Sequence, residues 1–210
     1  VIGASTAHGA GVKGSGVTVA LVDTGVANIP DLASRIVPVR TPSGATKRCV
    51  DLSGERNCND SYGHGTFIAG LIAGTGAASN GKYTGVAPQA RILSLKIGGR
   101  DGSASVGKIL FAIQWVVDHK DEYGVKVMNL SLGTDSPQSY HHDPLNLAVE
   151  RAWNAGINVV VSAGNRGPSA GTVSKPADDP FVITTGATDD LRTVDVSDDV
   201  VPDFSSRGPT

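Results

Sequence analysis

Apolar residues occur along the chain in two alternating patterns. Short runs rich in Val, Ile and Leu predict β-strands at residues 17–22, 91–97, 126–130, 158–162 and 181–186. Longer segments with apolar residues at helical spacing predict helices at residues 64–74, 103–120 and 144–155. Because strands and helices alternate, the sequence predicts an α/β fold in which a mostly parallel central sheet is flanked by helices on both sides.

The chain reads as one unit, because its 210 residues contain no internal repeat and no linker-like segment. We therefore expect a single domain over residues 1–210. Residues 74–85, rich in Gly, Ala and Ser, predict a surface loop. Two Gly patterns, at 9–14 and 74–76, have the spacing of a dinucleotide-binding loop, but neither follows a strand. The pattern therefore does not favour a nucleotide cofactor.

Two residues at the ends of these elements have the chemistry of a catalytic pair. Asp23 ends an apolar strand, at the carboxyl edge of the sheet where ligand crevices form. His64 lies between two glycines, in the first turn of a predicted helix. Taken alone, Asp23 could cap a turn and His64 could be structural. Together they suggest an aspartate that orients a histidine general base, as in nucleophilic hydrolysis.

Asn165 follows the predicted strand 158–162 and a stretch of small residues. Its side-chain amide could donate a hydrogen bond to an oxyanion that develops in a cleft. The alternative is a local turn, because Asn tolerates left-handed backbone and bonds to its own neighbours. The presence of Asp23 and His64 favours the first interpretation.

The segments around Asp23, His64, 131–133 and 162–165 resemble those of the subtilisin-like serine proteases, the subtilases of peptidase family S8. The order Asp, His and a later Ser is also the order of that family. Within it, residues 126–133 and 143–150 are most similar to the AprX-like bacterial branch. The family usually has a second His where this chain has Phe67, a change that we interpret as local packing.

The resemblance implies a serine endopeptidase with a subtilisin-like three-layer fold. Asp23 would hold the His64 ring, His64 would take the serine proton and later protonate the leaving amine, and Asn165 would donate to the oxyanion. A polypeptide substrate would lie as an added strand between residues 98–102 and 131–133. The implied substrate-binding residues are Gly98, Gly99, Gly102, Ser131, Leu132, Gly133, Ser162, Ala163 and Gly164.

Residues 131–133 and 162–164 would form opposite walls of the pocket for the residue before the cleaved bond. Their glycines suggest room for a large apolar side chain, and hence a preference for hydrophobic or aromatic residues. Alternatively, the glycines only satisfy strand and turn geometry.

The Gly-Thr-Ser segment that carries the nucleophile in this family does not occur in the sequence. Ser206 is not expected to replace it, because 204–208 resembles a structural loop of the family. We therefore expect a domain incomplete at its C-terminal end, with the serine on a downstream segment or a second chain. A pro-segment is also compatible with the family. The alternative is a catalytically inactive, subtilase-like module that binds peptides.

The two cysteines, Cys49 and Cys58, bracket a polar stretch between Asp23 and His64. A disulfide closing this loop would contribute about 2–3 kcal/mol in the chain-entropy model. A zinc site is the alternative, although no paired His lies nearby. A disulfide would indicate a secreted protein in an oxidising setting. A cytoplasmic location stays open, because some AprX-like relatives are intracellular.

The composition excludes some classes of function but does not indicate one. Eighteen basic and 20 acidic residues give a formal charge of −2, which predicts no nucleic-acid partner. No apolar run is long enough to span a membrane, and the first residues do not resemble a signal peptide. No cofactor or metal is required for the chemistry, but structural calcium is common in the family. Asp31, Asp178 and Asp179 are the nearest candidate ligands for it.

Overall fold

A computed structural model describes residues 2–210 and shows a six-stranded parallel sheet with the strand order β4-β5-β1-β6-β7-β8. Its strands are β1 (Thr18–Asp23), β4 (Val50–Asp51), β5 (Arg91–Lys96), β6 (Val125–Leu130), β7 (Asn158–Ser162) and β8 (Ile183–Thr185). A separate antiparallel pair is formed by β2 (Val39–Arg40) and β3 (Thr46–Lys47). The helices are α1 (Ala4–Gly9), α2 (Pro30–Ala33), α3 (His64–Ala73), α4 (Val106–Tyr123) and α5 (Pro144–Asn154), with a 3₁₀ turn at Ala77–Ser79.

The helices cover both faces of the sheet, which confirms the predicted three-layer α/β fold. All six residues of β1 are buried, as expected for a central strand of a parallel sheet. Ala20 and Val22 face the apolar cluster that includes residues of α4 and α5. Val19 and Leu21 face a second cluster, which includes residues of α2 and α3. The alternation of β1 side chains thus joins the two halves of the core.

Most predicted boundaries lie within one residue of the structure, although α4 ends at Tyr123 rather than at 120. Side-chain contacts explain the two larger differences at element starts. Helix α4 begins at Val106 rather than at 103, because Ser103 is bound through its backbone N–H and hydroxyl to the carboxylate of Asp101. Strand β8 begins at Ile183 rather than at 181, because the Asp179 carboxylate accepts the N–H of Phe181 in a turn. The short elements α1, α2, β2, β3 and β4 were not predicted.

The polar connection between β1 and α3 is closed by a disulfide between Cys49 and Cys58, as predicted. This bond joins the β4 region to the segment that leads into α3. The zinc alternative is wrong, because both sulfur atoms are used in the disulfide.

Helix α3 packs unusually close to the end of β1 because Gly65 has no side chain. A Cβ atom at Gly65 would lie 2.2 Å from the carbonyl oxygen of Gly25 and 3.2 Å from the Cβ of Asp23. The first turn of α3 can therefore approach β1 only with glycine at this position.

We expect Gly65→Ala to lower the free energy of unfolding by about 1–3 kcal/mol, because the new methyl group displaces α3 from β1. Gly70→Ala is the matched control in the same helix, since no atom of residues 2–210 beyond the local helix backbone lies within 4 Å of its Cβ position. This control should be neutral or stabilising by about 0.5–1 kcal/mol. Thermal and urea denaturation measure both, and equal effects of the two substitutions would contradict the close packing at Gly65.

Candidate active site

Asp23 and His64 form a hydrogen-bonded pair at the junction of β1 and α3. The Nδ1 atom of His64 lies 2.7 Å from Oδ1 and 2.9 Å from Oδ2 of Asp23. The Asp23 side chain is buried, whereas 39% of the His64 side chain is exposed. A buried carboxylate therefore fixes one ring nitrogen of His64, and the ring stays accessible from solvent.

The N-terminus of α3 is held by Asp60, which sequence reasoning missed. Its Oδ1 accepts hydrogen bonds from the N–H of Gly63 (2.7 Å) and Tyr62 (3.1 Å) and from the hydroxyl of Thr24 (2.9 Å). Its Oδ2 accepts from the N–H and the hydroxyl of Thr66, at 2.8 and 2.6 Å. The carboxylate thus satisfies donors that the first turn of a helix leaves free, and it ties this turn to the end of β1. Its position four residues before His64 is a signal that a search for capping residues could have found.

Thr24 completes the link between the two halves of the pair. Its hydroxyl donates to Asp60 and accepts the N–H of Gly65 at 2.9 Å. Its own N–H donates to Oδ1 of Asp23 at 2.7 Å. The carboxylate of Asp23 is therefore oriented by the residue that follows it, and the same residue fixes the helix of His64.

These contacts change the pKa of Asp60. Burial raises the pKa of this carboxyl, but hydrogen bonds from Thr66, Gly63 and Thr24 outweigh burial and hold the pKa below its usual value. The carboxylate form is therefore the one that stabilises the site at neutral pH.

A cavity of about 390 Å³ opens beside Asp23 and His64 and is lined by both segments that were predicted to flank the substrate, 98–102 and 131–133. Its lining residues include Asp23, His64, Gly98, Gly102, Ser131, Leu132 and Gly133. Gly99, which was predicted with them, does not line this cavity. Tyr62 was not predicted but forms part of the wall, with ring atoms 2.8–3.0 Å from the position of a Cβ at Gly102. Only glycine at 102 leaves room for this ring.

A second cavity of about 230 Å³ shares residues 131–133 with the first. Its other lining residues are Asp135, Ser162, Gly164, Asn165, Arg166 and Ser174. The predicted pocket walls, 131–133 and 162–164, thus face one cavity, except that Ala163 is buried and does not line it. Asn165 lies in this second cavity rather than beside His64, and the 131–133 segment adjoins both.

The glycines of these walls also lie close to another side chain of the protein. A Cβ at Gly133 would lie 2.4 Å from the Ser174 hydroxyl oxygen, and a Cβ at Gly164 would lie 2.9 Å from it. The Ser174 hydroxyl donates to the carbonyl of Ala163 at 3.2 Å. Ser174 therefore packs directly against both glycines, and this packing is one reason for glycine at positions 133 and 164.

Ser206 is buried and bound to the backbone. Its hydroxyl accepts the N–H of Arg166 at 3.1 Å, and its own N–H donates to the carbonyl of Gly164 at 3.0 Å. It does not line the cavity of His64. These contacts agree with a structural role for Ser206.

The candidate calcium ligands are bound to protein donors. Asp178 accepts hydrogen bonds from Asn146 and Lys175, and Asp179 accepts from Asn146 and Phe181. The ammonium group of Lys175 already neutralises Asp178, so Asp178 and Asp179 do not fit a calcium site. The Asp31 carboxylate accepts the N–H of Ala78 at 3.2 Å. Within residues 2–210, no group of three or more His, Cys, Asp or Glu side chains is arranged to hold a metal ion.

We expect Asp60→Asn to lower the free energy of unfolding at neutral pH by about 1–2 kcal/mol, allowing for partial exposure, because the new amide group meets the donors of Thr66. The lowered pKa means that this stabilisation is present above the carboxyl's unfolded-state pKa of about 3.9 and is lost as the pH falls through its folded-state pKa. The difference in the free energy of unfolding between wild type and Asp60→Asn should therefore narrow below about pH 4.

Asp195→Asn is the control, since hydrogen bonds from Ser197 lower the pKa of this exposed carboxyl as well. Urea denaturation across pH measures all three proteins. A pH-independent gap between wild type and the Asp60 variant would contradict the role of the Asp60 charge.

Comparisons with known proteins identify the family of the chain. The family model described as the subtilase family matches residues 14–210. Serine protease AprX of Bacillus subtilis (strain 168) is 40% identical over 209 residues, which are 97% of this chain and 45% of that protein. Subtilisin Savinase of Lederbergia lenta is 38% identical over 186 residues, covering 89% of this chain and 61% of that protein.

The fold agrees as well. A solved structure of a psychrophilic protease has a TM-score of 0.78 and 31% sequence identity, covering 94% of this chain and 61% of that chain. The present chain spans about half of the AprX protease and about three fifths of the other two proteins. A family model covering nearly the whole sequence, together with relatives of this identity, establishes that the chain belongs to the subtilase family.

Proposed function

We propose that the chain carries the Asp-His part of the catalytic machinery of a serine endopeptidase of the subtilisin type. The observation that supports this most strongly is the hydrogen bond of 2.7 Å between the buried carboxylate of Asp23 and Nδ1 of His64. Such a bond holds the imidazole in the tautomer whose Nε2 lone pair can accept a proton.

In the proposed reaction, Nε2 of His64 takes the proton of a serine hydroxyl as the serine oxygen attacks the peptide carbonyl. Asp23 stabilises the resulting imidazolium without taking the proton itself. His64 then protonates the leaving amine as the C–N bond breaks, which leaves an acyl-enzyme for hydrolysis by water. Asn165 donates to the oxyanion of the tetrahedral intermediates.

The serine itself would come from residues outside these 210, on a downstream segment or a second chain. This part of the proposal is supported by the sequence, which has no Gly-Thr-Ser, and by the greater length of the relatives. A pro-segment and structural calcium elsewhere in the protein also stay proposals drawn from the family resemblance.

Polypeptides are the proposed substrates, bound in extended form between 98–102 and 131–133. The cavity beside His64 lies between these two segments, which supports this pose. The side chain before the cleaved bond would enter the second cavity, where a hydrophobic or aromatic residue is proposed. Ser174 limits the depth available to that side chain.

A secreted location is proposed on the basis of the disulfide, which persists in oxidising compartments, with a cytoplasmic location as the alternative. Among residues 2–210, no helix combines the length and apolar character needed to cross a membrane.

The test uses the natural full-length protein that contains this chain. His64→Ala should abolish both peptide hydrolysis and labelling by a fluorophosphonate probe, because the serine loses its base. Asn165→Ala should lower kcat by about 10²–10³ with little change in KM, the loss known for one oxyanion donor in subtilisin. Asn158→Ala is the control, since this exposed side chain donates to the carbonyl of Lys126 and lines neither cavity.

The expected label lies on a serine outside residues 1–210, and the isolated 210-residue chain should not be labelled. Labelling of Ser206 would contradict the assignment. A full-length protein that binds peptides but carries no reactive serine would instead support the inactive binding module.

A further inference from the structure

Lys96 is a charged side chain that is completely buried at the end of β5, directly beside β1. In the parallel register it is the partner of Asp23 on β1 and of Asp51 on β4. A buried ammonium group is costly unless it is paired and fully hydrogen-bonded. Its position next to the catalytic pair therefore calls for a physical explanation.

The ammonium group of Lys96 binds the connection that precedes α3. It donates to Oε2 of Glu55 at 2.6 Å and to the backbone carbonyl of Asn59 at 2.5 Å. The hydrogen bond from Lys96 is the main cause that holds the pKa of Glu55 below its usual value. Within residues 2–210, no hydrogen bond joins this ammonium to the carboxylate of Asp23, so Lys96 acts on the connection rather than on the pair itself.

This connection is held by hydrogen bonds and one disulfide rather than by secondary structure. Residues 52–63 contain no helix or strand and are largely polar. The disulfide ends at Cys58, and the Ser61 hydroxyl donates to the same Glu55 oxygen that Lys96 binds, at 2.8 Å. Ordering such a segment costs conformational entropy, so the contacts that hold it, among them the buried ammonium of Lys96, determine its shape.

The stem of Lys96 also supports the other side of the site. A Cβ at Gly25 would lie 3.1 Å from Cδ of Lys96, 3.2 Å from the carbonyl oxygen of Asn59 and 3.3 Å from Cα of Asp60. The end of β1, the lysine stem and the connection are therefore in close contact at one point. Asp60 follows Asn59 directly and holds the first turn of α3.

We infer that Lys96 is a positioning residue for His64. It fixes Glu55 and the Asn59 carbonyl, which places the Asp60 carboxylate on the N-terminus of α3 and aligns the imidazole with Asp23. The effect on turnover rests on the proposed peptidase function, whereas the effect on the Asp23–His64 hydrogen bond does not.

The first experiment substitutes Lys96→Met in the natural full-length protein, which keeps most of the stem and removes the ammonium. We expect kcat to fall by about 10- to 100-fold, because a small displacement of a catalytic group is costly. KM should stay within about twofold, since no substrate contact is removed. Lys108→Met is the matched control: this lysine donates to the Ser53 carbonyl in the same connection, away from Asp60, and its loss should leave kcat unchanged.

If Lys96→Met does not fold, a second pair of variants, at Glu55, tests the positioning role of Lys96. Glu55→Ala, on a partly exposed segment, should lower kcat by releasing one of the two anchors. Glu55→Gln retains an oxygen that accepts from Lys96 and should recover most of the loss. If Glu55 only stabilised the fold, Glu55→Gln and Glu55→Ala should not differ in kcat at an unchanged KM. A higher kcat for Glu55→Gln than for Glu55→Ala, with the same KM, therefore supports the positioning role.

The readout that does not depend on peptidase activity is nitrogen-15 and proton NMR of the His64 ring, assigned with His64→Ala. In the wild type, the Nδ1 proton should be protected from exchange by Asp23. In Lys96→Met and Glu55→Ala this signal should broaden or disappear, and in Lys108→Met it should persist. An unchanged Nδ1 signal in both site variants would overturn the inference, even if the protein proves to be inactive.

Discussion

The geometry of the site depends on one interaction, the binding of the Asp60 carboxylate to the N-terminus of α3. A helix start leaves N–H groups without partners, and here a single carboxylate takes two of them, from Gly63 and Thr66, together with the N–H of Tyr62 just before the helix. Because the same carboxylate binds Thr24, the helix is docked on the end of β1 in one orientation. Asp23 and His64 are separated by 41 residues along the chain, so the alignment of their hydrogen bond comes from this docking.

The parallel sheet explains why the other parts of the site gather nearby. In such a sheet the carboxyl ends of the strands meet at one edge, and ligand crevices form beyond that edge. Asp23 ends β1, residues 97–102 follow β5, residues 131–133 follow β6 and Asn165 follows β7. The central position of β1 places Asp23 between the segments after β5 and β6, which form the walls of the cavity beside His64.

The same logic shows what could be predicted from the sequence. The strands before Asp23 and Asn165 and the helix of His64 are clear apolar runs, so the residues at their ends could be placed at one edge of the sheet. Asp60 and Tyr62 lie in a stretch without periodicity, and the contacts of Asp60 with Thr24 and of Tyr62 with Gly102 join residues distant in the sequence. The two-residue strands β2, β3 and β4 are too short to show an alternating pattern. Lys96 stands at the end of an apolar strand, where nothing in the pattern marks it as an anchor.

The site is assembled against the usual preferences of a protein core. Asp23 and Lys96 are both buried at the same level of the sheet, and each would be destabilising without its partners. They are compensated separately: Asp23 by Thr24 and His64, and Lys96 by Glu55 and a backbone carbonyl. The Lys96 ammonium binds Glu55 and the Asn59 carbonyl in the connection to α3, so it forms no hydrogen bond with the Asp23 carboxylate among residues 2–210. The Asp23 carboxylate thus stays bound to the imidazole, and the buried lysine holds the neighbouring connection without competing for that hydrogen bond.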